Sequence, residues 1–476
     1  MDSQPSSNVE HPKSPLWGSC RLTLSVCAFL VLVNMIMTRY SLALTLICMV
    51  RTQDAETSLV ILSDNNKCPN CRQEYRKYDF DWQPNVQGRL NAAIFYGFIT
   101  TQPFAGYFCD RFGGKLLFVI AAGMQGICSL FCPVAARLHV EFLFVLRIIQ
   151  GCFSGFTIPA MYALFSKWTP PKEKTLLLGF AYSGFPMGNI IVYPLSSALC
   201  RLDLDGGWPL VFYCIGSFAI ILGILLYFLT FDDPSDHPRI SEAERNYIKS
   251  YHMKKFSKKL KTPWISMLKS MPIYAYNVAH FAQSWSFITL ATSIPMMLKD
   301  MLGLDMKSNG FLSALPYICS YISRFTISVT FNPIKRLTRL SLTNMRKVNH
   351  VLGTAIPALS LLCLGLITRE DKFWAILLIS LCTTFTDVGL TGSYLMSYLE
   401  LAPPFASFLT GFSNTVGSLP GCVSNTLTGY LTTNGTREEW MVVIYIMAAM
   451  YLVGGIFYVI FGTSELQEWA IIEDNP

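Results

Sequence analysis

Charge is what this chain has least of. Asp, Glu, Lys and Arg make up 14% of its 476 residues, where a soluble domain carries about 25%. Mean hydropathy is +0.40, and the apolar residues gather into runs long enough to cross a bilayer, which takes roughly 20 residues as a helix. That pattern excludes a soluble globular protein, and the spacing of the runs leaves no room for a large soluble domain. Acidic residues are missing from the apolar runs of the first half altogether. Also missing are a metal-ligand cluster, a P-loop, a dinucleotide fingerprint and a nucleophile elbow, the constellations an intramembrane enzyme would need. No enzyme activity, metal or cofactor is therefore expected. The first residues lack a basic stretch followed by a short apolar core and cleavage site, so they do not read as a signal peptide. The first apolar run is expected to remain as an anchor behind a disordered N-terminus. The formal charge of +7 sits in loops between apolar runs, which argues against nucleic acid as a partner and for the lipid bilayer.

Cysteine is not scarce, but clustered cysteine is. Most of the fifteen are scattered singly in apolar runs, where a thiol behaves as a small buried hydrophobe. Only Cys68 and Cys71 stand close together in a polar loop, a candidate disulfide if that loop faces a lumen or the outside.

What is present is a regular alternation. Apolar spans cover residues 22–50, 88–108, 116–138, 142–165, 176–200 and 209–230. A charged segment, 231–270, follows, and then spans at 271–297, 309–331, 348–368, 373–394, 405–432 and 440–462. The expected fold is an all-α membrane protein of twelve transmembrane helices in two six-helix halves, a layout used by transporters built from related repeats. The expected domains are a disordered N-terminus (1–20), a first half (21–230), a linker (231–270), a second half (271–463) and a tail (464–476). Basic residues set the orientation. Arg239, Arg245, Lys249 and Lys269 in the linker, Lys335, Arg336, Arg339, Arg346 and Lys347 after span eight, and Lys167, Lys172 and Lys174 after span four all fall on one side, together with both termini. That side is expected to be the cytoplasm. Asn434-Gly-Thr436 is a glycosylation sequon on the opposite side.

Few charges remain inside the spans. Arg39 lies near the middle of span one and Arg147 in span four. An ionisable group at such depth costs ~3 kcal/mol or more and normally faces a partner or a water-filled cavity. At least one of the two is expected to meet an anionic substrate; the blander alternative is that each snorkels or binds backbone carbonyls. Arg147, Gln150, Gly151, Ser154 and Ile158 share one helical face, which reads as a polar, open cavity wall. In span one, Asn34, Thr38, Ser41 and Thr45 form a polar stripe that points roughly 120° or more away from Arg39, so the two cannot both face one cavity. In the second half, Arg324 of span eight and Asp387 of span ten lie at similar depth and are expected to pair, in a structural or gating role in preference to substrate contact. His280, on a face of span seven with Asn277 and Ser284, reads as a structural histidine, with a proton relay as the alternative.

Gly106-Tyr-Phe-Cys-Asp110-Arg111-Phe-Gly113-Gly114-Lys115 resembles the signature loop of the major facilitator superfamily. Gly106 is expected to permit close helix packing, and Asp110, Arg111, Gly114 and Lys115 to latch helix ends together. The equivalent loop after span eight, Asn332-Pro333-Ile-Lys335-Arg336, lacks the acid. Arg147-Ile-Ile-Gln-Gly151, Ser166-Lys-Trp168-Thr-Pro170-Pro171-Lys-Glu173, Phe311-Leu-Ser-Ala-Leu-Pro316-Tyr317 and Leu401-Ala-Pro403 through Asn414 resemble the anion:cation symporter family. That family includes type I sodium–phosphate cotransporters, sialin and vesicular glutamate transporters. The resemblance implies that Arg39 and Arg147 line an anion pathway; Gln150, Ser154, Asn91 and His280 are further substrate-side candidates. It also exposes departures. Proton-coupled members carry a glutamate at the Ser154 position, and vesicular glutamate transporters a histidine at Asn91 and an arginine near Gln283. The sodium–phosphate and organic-anion branch fits better.

The expected function is secondary active transport of a small phosphate-like or organic anion by alternating access. Na+ is the candidate coupling ion and H+ its alternative. The protein is expected to act as a monomer, in the plasma membrane in preference to a vesicle or lysosome membrane. A proton- or potential-driven vesicular carrier is the runner-up. A membrane sensor that binds an anion without moving it is the alternative of a different class.

Overall fold

The computed structural model describes residues 15–50, 79–202, 204–252, 263–368, 370–393, 400–402 and 405–470; the Cys68 and Cys71 pair lies outside the described residues. Among the described residues all regular structure is helical, apart from a single bridge between Val50 and Phe80. This is what a bilayer demands, because a helix satisfies its own backbone donors and acceptors where no water can.

The first half comprises α1 (Cys20–Met49), α2 (Pro84–Phe112), α3 (Gly114–Leu138), α4 (Val140–Trp168), a fifth span in two pieces, α5 (Pro171–Tyr182) and α6 (Gly184–Cys200), and α7 (Trp208–Leu229). Two short helices, α8 (Glu242–His252) and α9 (Trp264–Lys269), lie in the linker. The second half comprises α10 (Met271–Leu302), α11 (Met306–Thr338), α12 (Leu342–Leu364), α13 (Lys372–Gly392), α14 (Ala406–Leu431) and α15 (Arg437–Phe461). Local chemistry marks many ends. Ser19, Asp305 and Ser341 cap α1, α11 and α12 through their side chains, and Thr436 with Glu439 forms a capping box on α15. Gly303, at φ 61°, closes α10.

Polarity is inverted relative to a soluble protein. Arg147 and Asp387 are sealed inside, whereas Phe131, Phe142, Ile221, Phe228, Ile456 and Ile460 are exposed, as a lipid-facing surface requires. By length and composition alone, eight spans among the described residues are apolar enough to cross a membrane. The remaining four, α2, α10, α11 and α14, are 29, 32, 33 and 26 residues long. Each packs along the seam between halves, α2 against α14, α11 against α6 and α10 against α1.

That seam is tightest at the ends opposite the basic loops. A Cβ on Gly88 would stand 2.5 Å from the Asn425 carbonyl, and one on Gly310 would stand 2.2 Å from Ser197 Cβ. Ser197 Oγ donates to the Met306 carbonyl at 2.7 Å, the Tyr193 hydroxyl donates to the carbonyl of Ala291, and Tyr193 stacks on Tyr317 with ring centroids 5.7 Å apart. A disulfide, Cys48–Cys200, joins α1 to α6 at the same end. These two cysteines are thus not the isolated hydrophobes their spacing implied.

Candidate functional site: two arginines with different environments

The face of α4 that reads as a cavity wall is packed shut. Gly97 and Gly151 bring α2 and α4 backbone to backbone: a Cβ on Gly97 would lie 1.9 Å from the Ile148 carbonyl and one on Gly151 would lie 2.0 Å from that of Ile94. Arg147, Gln150 and Ser154 are all 0% exposed. Arg147 Nη1 donates to the Thr38 carbonyl at 2.9 Å and to Gln150 Oε1 at 2.7 Å, and Nη2 donates to the Arg39 carbonyl at 3.0 Å. Gln150 Nε2 is held in turn by the Gln125 carbonyl and Ser129 Oγ, at 3.0 and 2.8 Å. Arg147 therefore neither snorkels nor opens onto a cavity. Its guanidinium is bound to backbone carbonyls of α1.

Arg39 is different. It is half-buried, and Nε and Nη2 have no protein hydrogen-bond partner. Its guanidinium carbon sits 5.1 Å from the ring of Phe95 and 4.7 Å from that of Phe98. Such contacts offset part of the cost of placing the cation there but leave Nε and Nη2 without a hydrogen bond. Asn91 lies on the same face of α2 as Phe95 and Phe98, one turn before Phe95. The polar stripe of α1 is fully enclosed: Ser41 Oγ donates to the Thr38 carbonyl at 3.2 Å, and Thr45 Oγ1 donates to that of Ser41 at 2.6 Å. The arginine, not the stripe, is the part of α1 that reaches the more open side. Ser154 is one helical turn past Gln150, with a buried hydroxyl that has no partner.

His280 stands apart from this group. Its Nδ1 is 2.8 Å from Ser413 Oγ, and it packs on Gly417, where a Cβ would lie 2.4 Å from Nε2. Arg324 Nη2 donates to Asp387, whose other oxygen accepts from Ser320 Oγ.

At the basic-loop end the close packing expected at Gly106 of the signature segment is not made there. A Cβ on Gly106 would meet no atom within 4 Å, so no close packing depends on that glycine. The close contact is at Gly114, whose Cβ would lie 3.1 Å from the Ala160 carbonyl. Arg111 is exposed and reaches Tyr107 at 3.4 Å. The Asp110 side chain lies outside what is described. Among the described side chains, the acid that engages this loop is Asp232, which follows α7. Asp232 Oδ1 accepts from Lys115 N at 2.9 Å at the start of α3, and Lys115 Nζ lies 4.1 Å from the Phe231 ring. Gly113, at φ 90°, makes room for it, since a Cβ there would lie 2.7 Å from Asp232 Oδ2.

Beside it the linker is clamped. Arg21, fully buried, pairs with Glu173 and with Glu244, the latter at 2.9 Å, under the Tyr247 ring at 4.7 Å. His237 packs on Phe231 and Trp168 at 4.7 and 5.5 Å, and burial holds its pKa below the usual 6.5. Neither Asp232 nor the Arg21 clamp was legible as a partner from spacing. On the opposite side Asn434 is exposed, its amide donating to Glu439 Oε1 at 2.7 Å.

A sequence model of the Major Facilitator Superfamily matches residues 24–425. The chain is 34% identical over 466 residues to sialin of Homo sapiens, covering 96% of this chain and 92% of that protein. It is 34% identical over 401 residues to vesicular glutamate transporter 3 of Danio rerio, covering 83% and 67%. Among solved structures, a bacterial homologue of the human lysosomal transporter Spinster, in an inward-facing and occupied conformation, matches with a TM-score of 0.65 at 13% identity, over 92% of this chain and 96% of that one. At that identity the likeness carries the fold alone.

Proposed function

Because the chain belongs to the major facilitator superfamily, and within it to the anion:cation symporter family, we propose that it moves a small phosphate-like or organic anion across a membrane by alternating access, with Arg39 as the anion's anchor. One observation carries the proposal. Arg39, half-buried against Phe95 and Phe98, keeps Nε and Nη2 without a protein hydrogen bond, in a set of helices whose apolar spans contain no acid. An anion supplies the missing counter-charge and hydrogen bonds at once, and a guanidinium offers a planar fork suited to carboxylate or phosphate. The tight seam at the far end supports a rocking motion in which that seam opens as the basic-loop ends close.

The same reading places both termini and the basic loops in the cytoplasm and Asn434 on the other side, where a peptide-N-glycosidase shift lost in Asn434→Gln would register it. The plasma membrane is the location the sequence favours. The vesicular name of one relative supports an internal membrane instead, and immunolocalisation decides between them. Na+ and H+ are the two coupling ions considered, separated by imposing each gradient alone.

The test is uptake into proteoliposomes. The wild type is expected to accumulate at least one anion from a panel of phosphate, sulfate and carboxylates, and Arg39→Ala to lose that uptake while still reaching the membrane. Full uptake by the expressed mutant rejects Arg39 as the anchor; binding without uptake by the wild type favours a sensor.

A further inference from the structure

Arg324 and Asp387 form an ion pair in which the acid is sealed and the base is not. The Asp387 side chain is 2% exposed and that of Arg324 is 20% exposed. Position explains the difference. Around α11, Arg324 lies about 20° from Tyr317 and two turns, ~10 Å, farther from the tight seam. Tyr317 is the residue that stacks on Tyr193 of the first half. The guanidinium thus lies on the face that α11 turns toward the other half, beyond the point where the halves touch.

Packing does not require a charge pair there. Spans four and ten hold equivalent places in the two halves, as do spans two and eight. Asp387 stands about sixteen residues ahead of Pro403-Pro404, and Ser154 stands as far ahead of Pro170-Pro171. Arg324 stands about eight residues before Asn332, and Gln102 stands as far before Asp110. The first half places buried, neutral Ser154 and Gln102 at these positions. A buried ion pair is, besides, often no more stabilising than neutral groups of similar size.

We infer that Arg324 and Asp387 couple anion binding to proton uptake, an inference that rests on the anion-transport reading. An anion entering between the halves reaches the partly exposed guanidinium and competes with Asp387 for it. Stripped of its counter-ion in a dry site, the carboxylate takes a proton, because an unpaired buried charge costs far more than a neutral acid. The balance is simple: the Arg324–Asp387 ion pair, one anion and one proton become an Arg324–anion pair and a neutral Asp387 carboxyl. One O–H bond forms, and one proton travels with each negative charge. Ser320 Oγ can donate to the carboxylate or accept from the acid. Among the described residues, the charged and titratable groups facing Asp387 are Arg324 and Tyr317 from α11 and Tyr451 from α15, with Cys382 on its own helix beside Tyr451 and His350 of α12 beyond it beside Ser393. None of these is a second carboxylate that would share the proton.

The test measures proton uptake on anion binding to purified full-length protein in weakly buffered detergent. Glutamate, N-acetylneuraminate and sulfate are offered separately, sulfate standing for phosphate because it does not itself titrate near neutrality. The wild type is expected to take up about one proton per anion bound, to show a new protonated-carboxyl band in the infrared difference spectrum, and to lose affinity about tenfold per pH unit over the range of uptake. Asp387→Asn is expected to lose the band and to bind with an affinity that no longer depends on pH. Arg324→Gln combined with Asp387→Ser, copying the first half, serves as a second uncoupled variant if Asp387→Asn does not fold. Anion binding by the wild type without proton uptake, or uptake that persists in either variant, overturns the inference and leaves the transport reading standing. No binding of any of the three anions by the wild type overturns both.

Discussion

Arg147 fixes the backbone of α1 at Arg39, donating to the carbonyls of Thr38 and Arg39 at 2.9 and 3.0 Å. These two cations thus divide their work: Arg147 is bound to the scaffold through Nη1 and Nη2, and Arg39 keeps Nε and Nη2 open. A lysine cannot span two carbonyls and Gln150 Oε1 as a planar fork does. Arg147→Lys is therefore expected to fold and reach the membrane yet transport poorly, since a ~1 Å misplacement of a binding group costs on the order of 10²-fold. Initial-rate kinetics check this. The mark of positioning is non-additivity: Arg147→Lys combined with Arg39→Lys is expected to cost clearly less than the sum of the two.

The clamp around Arg21 makes a separate prediction about stability. Its guanidinium is fully buried between Glu173 and Glu244, and the backbone N–H groups of Cys20 and Arg21 also donate to Glu244 at 3.1 Å. Removing one partner of a buried pair leaves an uncompensated charge, a loss of about 3–5 kcal/mol. Arg21→Ala is expected to release α8 from the first half, seen as faster protease cleavage of the linker and a lower thermal midpoint. Neutralising the orphaned acid as well, in Arg21→Ala with Glu244→Gln, is expected to recover part of that loss.

His237 gives this docking a pH dependence. Burial against Phe231 and Trp168 depresses its folded pKa below 6.5, so the unfolded or undocked segment binds more protons than the docked one between the two values. The neutral histidine's contribution is complete above about pH 6.5 and is lost as pH falls through the depressed folded value. Linker proteolysis is expected to accelerate as the medium is acidified below pH 6.5, and His237→Phe to remove that dependence while keeping the packing.

The twelve-span layout and the depth of the charges were legible because bilayer length and the cost of buried charge act on sequence directly. Partner choice was less so. Arg324 and Asp387 could be matched because few charges lie at that depth. The polar face of α4 looked like a cavity wall, because a sequence reports which residues share a face and not what covers it. Gly97 and Gly151 bring α2 onto that face, and close backbone approach between helices far apart in sequence leaves only glycine as its trace. Asp232 was invisible as the partner of the signature loop for the same reason, since over a hundred residues separate it from Lys115.

The Cys48–Cys200 disulfide carries a prediction about compartment as well as stability. It links the ends of α1 and α6 that lie away from the basic loops, on the side that also presents Asn434. Disulfides persist where the surroundings oxidise, so this end is expected to face a lumen or the exterior in the same molecules that carry the glycan. The bond spans 152 residues of sequence, and closing so long a loop in the unfolded chain corresponds to a stabilisation of about 2–5 kcal/mol. Cys48→Ser is expected to free one thiol, detected at Cys200 by maleimide labelling of the denatured, unreduced protein. The double Cys48→Ser, Cys200→Ser variant is expected to show a lower thermal midpoint, insensitive to reductant, while the wild type's midpoint falls on reduction. Labelling of Cys200 in the unreduced wild type would remove both the bond and this assignment of sides, since a thiol free on that face has no oxidising compartment to account for.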